Sequence, residues 1–594
     1  MRFPFLAFLL VLVAPATVSV AAPRPSGDPG VIRVEALLET HLDDAKARTL
    51  EACAARGLEL PAGFLAWIDA DPVRRATVWG CRADPLPVLL GLRSLEIDLG
   101  EKTVREDYPQ LALAFAIEGS FVGPRSVAPG WNDGDPSPLG DALPDISPRP
   151  PLELVISGDP RVPVDVNDPA RPLDRNDRII AFLESHPEIE VEIEVMEPAP
   201  LEYDERGIAK PRGGPVRATR TERRRPYAAD VIASASLQKE FNAYLAAHGH
   251  PEVSIDCGDR VVHWRSTEAV DDRDLRARIK AAHDLFHDAY RAKGRMPAGR
   301  DRPPTPSESM AWFIRNDRHE FPADIRADRG WPRFPLDAPW PVLLMLVADA
   351  QPLREREEVW RRFADAGEFR TYGEYIGGIA QQFDMQSARR LSPFPFSYGS
   401  IQMMWKDGGV CGTMGNIGAR TYRICGIPAS TAGQPGHCAV VLMERDAATG
   451  EFSCRGDQYA TGGDEVTSVH AAWNLDERGD RRPMVFHQSV AWGVNRGLAS
   501  YVETLAMARA FAALPPEARA AECTVFVEAT LTLNPFAITA LESAIDAAPD
   551  AATLRTVAAR FEAAIAALDR PERFALLVKT VRESIDARLA KMPA

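Results

Sequence analysis

The sequence predicts an α+β protein in which a helix bearing a cysteine packs on an antiparallel sheet bearing a histidine and an aspartate, with helical regions on either side. Three observations predict it. Apolar residues recur at helical spacing near both ends of the chain. A glycine-flanked cysteine, Cys411, opens a helical run. Three strand-like runs follow it, the second opening on His437 and the third carrying Asp457.

Length and composition set the bounds. The chain has 594 residues, 45% hydrophobic and 26% charged, enough at roughly 100–200 residues per domain for about three or four folding units. Full-length disorder and fibrous architectures are excluded. A formal net charge of −15 argues against neutralising nucleic-acid phosphates, which requires a basic face, so no nucleic acid partner is expected.

Residues 1–21 read as an export signal. Arg2 gives a positive start, Phe5 to Val13 a short apolar run, Pro15 a break, and Ser19-Val20-Ala21 a cleavage site before Ala22. The run is shorter than the roughly 20 apolar residues of a bilayer span. The later run Val342 to Ala348 is soon followed by Arg354 and Glu355, which fits a buried helix. The expectation is a secreted or periplasmic protein with no stable membrane insertion after signal removal.

A helical domain is expected over 31–122, from Leu37-Leu38 with Leu42, Phe64-Leu65 with Ile68, and the Leu111, Leu113, Phe115 and Ile117 run. Cys53 and Cys81 lie in it, either bridged or as two independent buried thiols. The Pro/Gly-rich stretch 123–150 reads as a linker. A mixed α/β region follows over 151–296, with strands at Leu152–Ile156 and Val191–Val195, and a basic, Gly/Pro-containing segment from Arg206 to Arg225 that reads as a solvated loop. Near Ala281 to Tyr290, His283 and His287 stand four apart on one helical face. Such a pair can bind a metal, but it lacks the Glu of an H-E-x-x-H motif and reads as a structural or surface pair. No metal or cofactor is expected.

A Pro-rich connector over 297–340 leads to a core over 341–499, and a helical region closes the chain over 500–594. There Leu533-Asn534-Pro535-Phe536 is faintly tetratricopeptide-like, without a 34-residue period to support an array.

The core carries the chemistry. Gly408-Gly409-Val410-Cys411 reads as a tight turn entering a helix, with Met414, Ile417, Thr421 and Ile424 on one face and Gly412, Gly415 and Gly418 as a bare stripe. Each interior Gly costs about 1 kcal/mol relative to Ala, so three in register imply close backbone approach by another element. Gly426 is placed to stop the helix. A thiol at a helix N-terminus faces the positive end of the dipole, which favours the thiolate; a buried structural cysteine is the alternative. Downstream, Ile427 to Gly433 and His437 to Met443 read as strands, Asp446 to Gly450 as a hairpin loop, and Phe452 to Tyr459 as the returning strand. Pairing Arg445 with Glu451 sets His437 opposite Tyr459, with Asp457 diagonal on the same face, where a carboxylate could orient the imidazole. In that register Cys438 and Cys454 both point away from the His437 face.

These residues resemble the transglutaminase-like superfamily of papain-like cysteine enzymes. The resemblance rests on Gly409-x-Cys411, the Arg420 to Ile424 helix end, Cys425-Gly426-Ile427-Pro428-Ala429, His437 opening a strand and an Asp on the next; it covers about Trp340 to Trp492. It implies a cysteine enzyme acting on amide bonds of a protein or peptide: Cys411 as nucleophile, His437 as acid and base, Asp457 as orienting group. The Cys411 N–H is the first oxyanion donor, with Trp405 or Gln402 as candidates for the second, either of which reads equally as a core or loop residue. The competing reading is a binding module that keeps the fold and has lost the chemistry.

Overall fold

The computed structural model describes residues 29–120, 143–154, 182–183, 185–197, 201–203, 209–211, 216–226, 230, 234–248, 252–256, 261–265, 304–317, 336, 338–348, 351, 353, 356–357, 411–424, 426–434, 437–446, 448–456, 468–470 and 481–592. Among these the chain is mixed α+β, mostly helical with small antiparallel sheets. The export segment 1–21, the pair His283 and His287, and most of the two Pro-rich stretches lie outside the described residues.

In chain order the helices are α1 (Pro29–Ala55), α2 (Ala62–Asp69), α3 (Pro72–Gly80), α4 (Leu86–Leu99), α5 (Pro109–Gly119), α6 (Ala235–His248), α7 (Pro306–Asp317) and α8 (Trp340–Val347). Then follow α9 (Cys411–Ile424), α10 (Met484–Arg496), α11 (Leu498–Ala512), α12 (Pro516–Leu533), α13 (Ile538–Ala547), α14 (Ala551–Ala566) and α15 (Ala575–Leu589). By contact the chain divides into two units, residues 1–89 with 485–594, and residues 90–484.

The first unit joins the N-terminal helices to the C-terminal ones. Along α1 the buried residues Val34, Leu38, Leu42, Ala45, Thr49 and Cys53 recur every three or four positions, the stripe a helix needs to pack one face. That helix packs on α3, α11 and α12. Asp71 caps α3, its Oδ1 accepting the Arg74 N–H at 2.7 Å, with Pro72 in the first turn. At Gly80 a Cβ would meet the Ala506 Cβ at 2.6 Å and Leu42 at 2.8 Å, so only glycine lets α3 approach this closely. Cys53 and Cys81 are both free and buried, which settles the sequence alternatives for two independent thiols.

The Leu533 to Phe536 corner is a polar clasp. The buried Asn534 donates from Nδ2 to the Gly493 carbonyl (2.9 Å) and to Ser500 Oγ (3.2 Å), while its Oδ1 accepts the Phe536 N–H (3.2 Å). Phe536 then packs against Trp492 and Phe574, ring centroids 5.7 and 4.9 Å apart. A buried amide with each bond satisfied is costly to truncate.

In the second unit α5 packs on α7 and α8. Asp98 receives Arg149 Nε on Oδ1 and Ser307 Oγ on Oδ2, both at 2.5 Å, and the Leu152 N–H donates to the Asp98 carbonyl. The segment around residue 150 is thereby held onto α4, and its described part, Leu152 to Leu154, forms no strand, a correction to the sequence reading. All eight residues of α8 are buried, as the run from Val342 suggested; it packs on α5. Among the described residues no helix is long and apolar enough to cross a membrane.

The strand expected at Val191–Val195 is present within β1 (Ile189–Glu197). Short strands β2 (Leu201–Tyr203) and β3 (Ala209–Pro211) pair with each other, and β4 (Val216–Arg224) pairs antiparallel with β1. The basic segment is therefore not a loop throughout. Its Thr219 and Thr221 suit a strand, and register sets Glu190 opposite Arg223, while Arg220 stands opposite Ile193 and Arg224 pairs with Asp230; Arg220, Arg223 and Arg225 stay exposed, as the basic composition suggested. A further hairpin joins β5 (Glu252–Asp256) to β6 (Val261–Arg265).

Replacing Asn534 by Ala is expected to lower the unfolding free energy by roughly 1–3 kcal/mol, because in a dry corner the Phe536 N–H loses its side-chain acceptor and the Gly493 carbonyl keeps only the Gly497 N–H. Urea unfolding of the full chain measures this; an unchanged midpoint and slope would remove the clasp from the account.

Candidate active site

The site begins with how α9 stops. Gly426 takes φ of +80°, its N–H donates to the Arg423 carbonyl, and the Ile427 N–H donates to the Tyr422 carbonyl, both at 2.9 Å. This double bond pattern around a left-handed glycine ends the helix abruptly. No atom lies within 4 Å of where a Cβ would stand, so the preference for glycine here is one of backbone conformation alone.

Every residue from Gly418 to Ile424 is buried, Arg420 and Arg423 included. Gly415 is buried as well. The helix packs on α8 and on two strands, β7 (Ala429–Gln434) and β8 (His437–Arg445). Two buried cations at one helix end are tolerable only with acceptors in reach. Arg423 Nε donates to the Ala429 carbonyl (2.7 Å) and Nη1 to the Ala348 carbonyl (2.9 Å), joining the helix end to the start of β7 and to the end of α8. Arg420 Nη1 donates to Gln351 Oε1 (3.0 Å). The Gln351 carbonyl receives Arg356 Nε (2.9 Å), and Arg356 reaches Ser309 Oγ on α7 (2.7 Å) while lying over the rings of Trp312 and Phe313. The sequence analysis assigned no role to either arginine, because a charge on a helix ordinarily faces solvent and its acceptors here lie far away in the chain.

The sheet has strand order β11-β10-β7-β8-β9, where β9 is Phe452–Gly456, β10 Ser468–His470 and β11 Arg481–Arg482. All its pairs are antiparallel. β7 and β8 pair from Ala429 opposite Leu442 to Gln434 opposite His437.

The β8–β9 register differs by one from the sequence expectation. Arg445 pairs with Phe452 and Val441 with Gly456. The cause is Asp446, assigned by sequence to the loop. Its N–H donates to the Glu451 carbonyl at 2.7 Å, its carbonyl accepts the Gly450 N–H at 2.8 Å, and its Oδ1 accepts the Ala448 and Thr449 N–H groups. These bonds hold the Asp446 carboxyl below its usual range. With Gly450 at φ +75° the turn closes over four residues, 447–450. The described ladder ends with Val441 opposite Gly456, one residue short of position 457. Cys454 instead lies opposite Met443, on the face that carries His437, while Cys438 is on the other.

Of the expected site residues, Cys411 is the first residue of α9 and His437 the first of β8. Asp457, Trp405 and Gln402 lie outside the described residues. The other thiols that are described do not suit nucleophilic chemistry. Burial pushes Cys81 and Cys454 up to about 12 and Cys523 to about 11, and raises Cys53. Among the described residues no group of three or more His, Cys, Asp or Glu side chains could hold a metal ion.

Gly426→Ala is expected to cost about 1 kcal/mol in unfolding free energy, the strain of a Cβ at positive φ; full stability in urea would contradict the helix stop described here. The buried thiols give a pH signature. Cys81 and Cys454 ionise near 9 when unfolded but only near 12 when folded, so above pH 9 the unfolded chain binds fewer protons and stability falls with rising pH. Replacing both by Ala should flatten that fall in alkaline urea titrations, and an unchanged slope would show that these thiols are not the cause.

Comparison of the chain with models of known protein families, with curated proteins and with solved structures finds no match.

Proposed function

We propose that the chain is an exported transglutaminase-like cysteine enzyme that acts on amide bonds of a protein or peptide through a thioester on Cys411. The supporting observation is the connectivity of α9, β7 and β8. Arg423 ties the C-terminal end of α9 to Ala429, and α9 packs on both strands. Fourteen helical residues rise about 20 Å, and a six-residue strand runs about 20 Å. A helix lying back along the strand that follows it sets its N-terminus over the far end of that strand. There β8 begins, at His437 opposite Gln434. The thiol-bearing and imidazole-bearing positions then share one end of the helix–sheet layer.

The chemistry follows from those positions. The positive end of α9 favours the Cys411 thiolate, with the proton held on His437. Sulfur attacks the amide carbonyl, forming a C–S bond, and the Cys411 N–H is the first donor to the oxyanion. The C–N bond breaks as His437 protonates the departing amine, which leaves a thioester and a neutral imidazole. Water or a second amine then attacks, giving its proton to His437 and returning the thiolate. Both acceptors share the first half-reaction, so the core accommodates transfer and hydrolysis alike.

The competing reading is a binding module on the same fold. Cys411→Ala separates the two. In the enzyme it abolishes release or transfer, measured with a dansylated amine and a Gln-rich acceptor beside a peptide-hydrolysis mixture, and thermal unfolding moves little. Asp457→Asn retains weak activity, since loss of an orienting carboxylate costs on the order of 10⁴ in turnover while the thiol remains. Turnover unchanged in Cys411→Ala rejects the enzyme as stated. No turnover in either protein, with slow alkylation of Cys411, supports the binding module.

A further inference from the structure

The segment ahead of β1 carries a histidine whose two ring nitrogens both meet acceptors. His186 Nδ1 lies 2.8 Å from the Pro187 carbonyl oxygen, and Nε2 lies 3.1 Å from Glu240 Oε2 on α6. A carbonyl never donates and an ionised carboxylate only accepts, so both contacts are hydrogen bonds only when both ring nitrogens carry protons. The side chain is 10% exposed, which makes water a poor substitute for either partner. The ring stands edge-on to Phe182, centroids 5.2 Å apart. Phe182 packs with Leu237 and Phe241 of α6 into a small core flanked by Leu183, Ile189 and Tyr244. Three buried side chains are few to dock a helix of 14 residues, so this charged hydrogen bond is a large share of what holds α6 to the start of β1.

Among the described residues, the titratable and charged groups on the elements packed here are Lys239, Glu240 and Tyr244 on α6, Glu188 and Glu190 at the start of β1, and Arg223 and Arg224 on β4. Glu188 pairs with Arg223 (3.6 Å) and Arg224 with Asp230 (2.6 Å). Ser236 Oγ donates to Glu240 Oε1 at 3.2 Å, which leaves Oε2 for the ring. Burial disfavours the charged ring, but the Glu240 carboxylate and the Pro187 carbonyl outweigh it and hold His186 above its usual 6.5.

We propose that His186 and Glu240 form a proton-controlled latch, which ties α6 to the segment ahead of β1 while the ring carries both protons and releases it when one is lost. Loss of a proton sets a bare ring nitrogen against an acceptor oxygen, and the small core alone then holds the helix. Because the docked ring keeps its proton more tightly than an undocked one, the latch contributes fully below pH 6.5 and is lost as pH rises through the higher docked value. The latch is independent of the catalytic reading above.

The test is amide hydrogen exchange of the full chain, read by mass spectrometry between about pH 6 and about pH 8.5, with each rate divided by the intrinsic rate at that pH. Peptides from α6 report the latch, and peptides from α8, in the same unit, serve as the reference. In the unsubstituted protein the protection of α6 is expected to fall about threefold or more across this range while that of α8 stays level. His186→Gln and Glu240→Gln should each begin lower at the acid end and stay flat, meeting the unsubstituted protein at the alkaline end. Glu240→Gln keeps the ring and its packing, so it isolates the charge. A flat profile in the unsubstituted protein, or a fall shared equally by α8, would overturn the latch. So would variant profiles that run parallel to the unsubstituted one, since a constant loss is the mark of packing alone.

Discussion

The candidate site depends on one buried cation. Arg423 holds the carbonyl of Ala429, where β7 starts, and that of Ala348, where α8 ends. A guanidinium carries donors in a fixed fork, so two acceptors on different elements set both the direction and the roll of the helix that carries it. Its burial makes the constraint stiff. Without those carbonyls the charge would be stranded in a medium that solvates it poorly, so a displaced α9 costs several kcal/mol rather than a few tenths. The left-handed stop at Gly426 makes the same demand from the backbone side, since it ends the helix within reach of the strand that Arg423 grips.

Around this tie the second unit is assembled from further polar bonds in dry surroundings. Arg420, Gln351, Arg356 and Ser309 pass hydrogen bonds from α9 to α7, and Glu357 receives Trp312 Nε1 at 2.7 Å and also pairs with Arg315. Asp98 performs the same service at α4 for Arg149 and Ser307. Apolar packing alone would let α9 slide along the sheet; acceptors fixed in space do not. The proposed nucleophile at the first residue of α9 and the proposed base at the first residue of β8 require that fixed relation, because proton transfer tolerates errors of well under an ångström.

Much of this was legible in the sequence where one residue type has one physical meaning. Gly426 after an apolar period reads as a helix stop and is one. Cys411 reads as a helix opening, and α9 begins there. The strand at His437 follows from its apolar run. Legibility failed where a side chain's role depends on a distant partner. Arg420 and Arg423 look like solvated charges until Gln351 and Ala348 are known to lie beside them. The basic stretch near Arg220 looks like a loop until its acidic partner strand is known. Asp446 looks like a loop residue because its own carboxylate, by capping Ala448 and Thr449, makes the turn one residue tighter than its composition suggests.

The central claim is that Cys411 and His437 meet at one end of the α9–sheet layer. The distance from Cys411 Sγ to the nearer imidazole nitrogen, measured in a crystal of the chain lacking residues 1–21, tests it most directly. The account requires about 4 Å or less, the reach of proton transfer with allowance for a site without substrate. A separation beyond about 8 Å, twice that reach, would contradict it and leave the layer as a scaffold without the chemistry assigned to it.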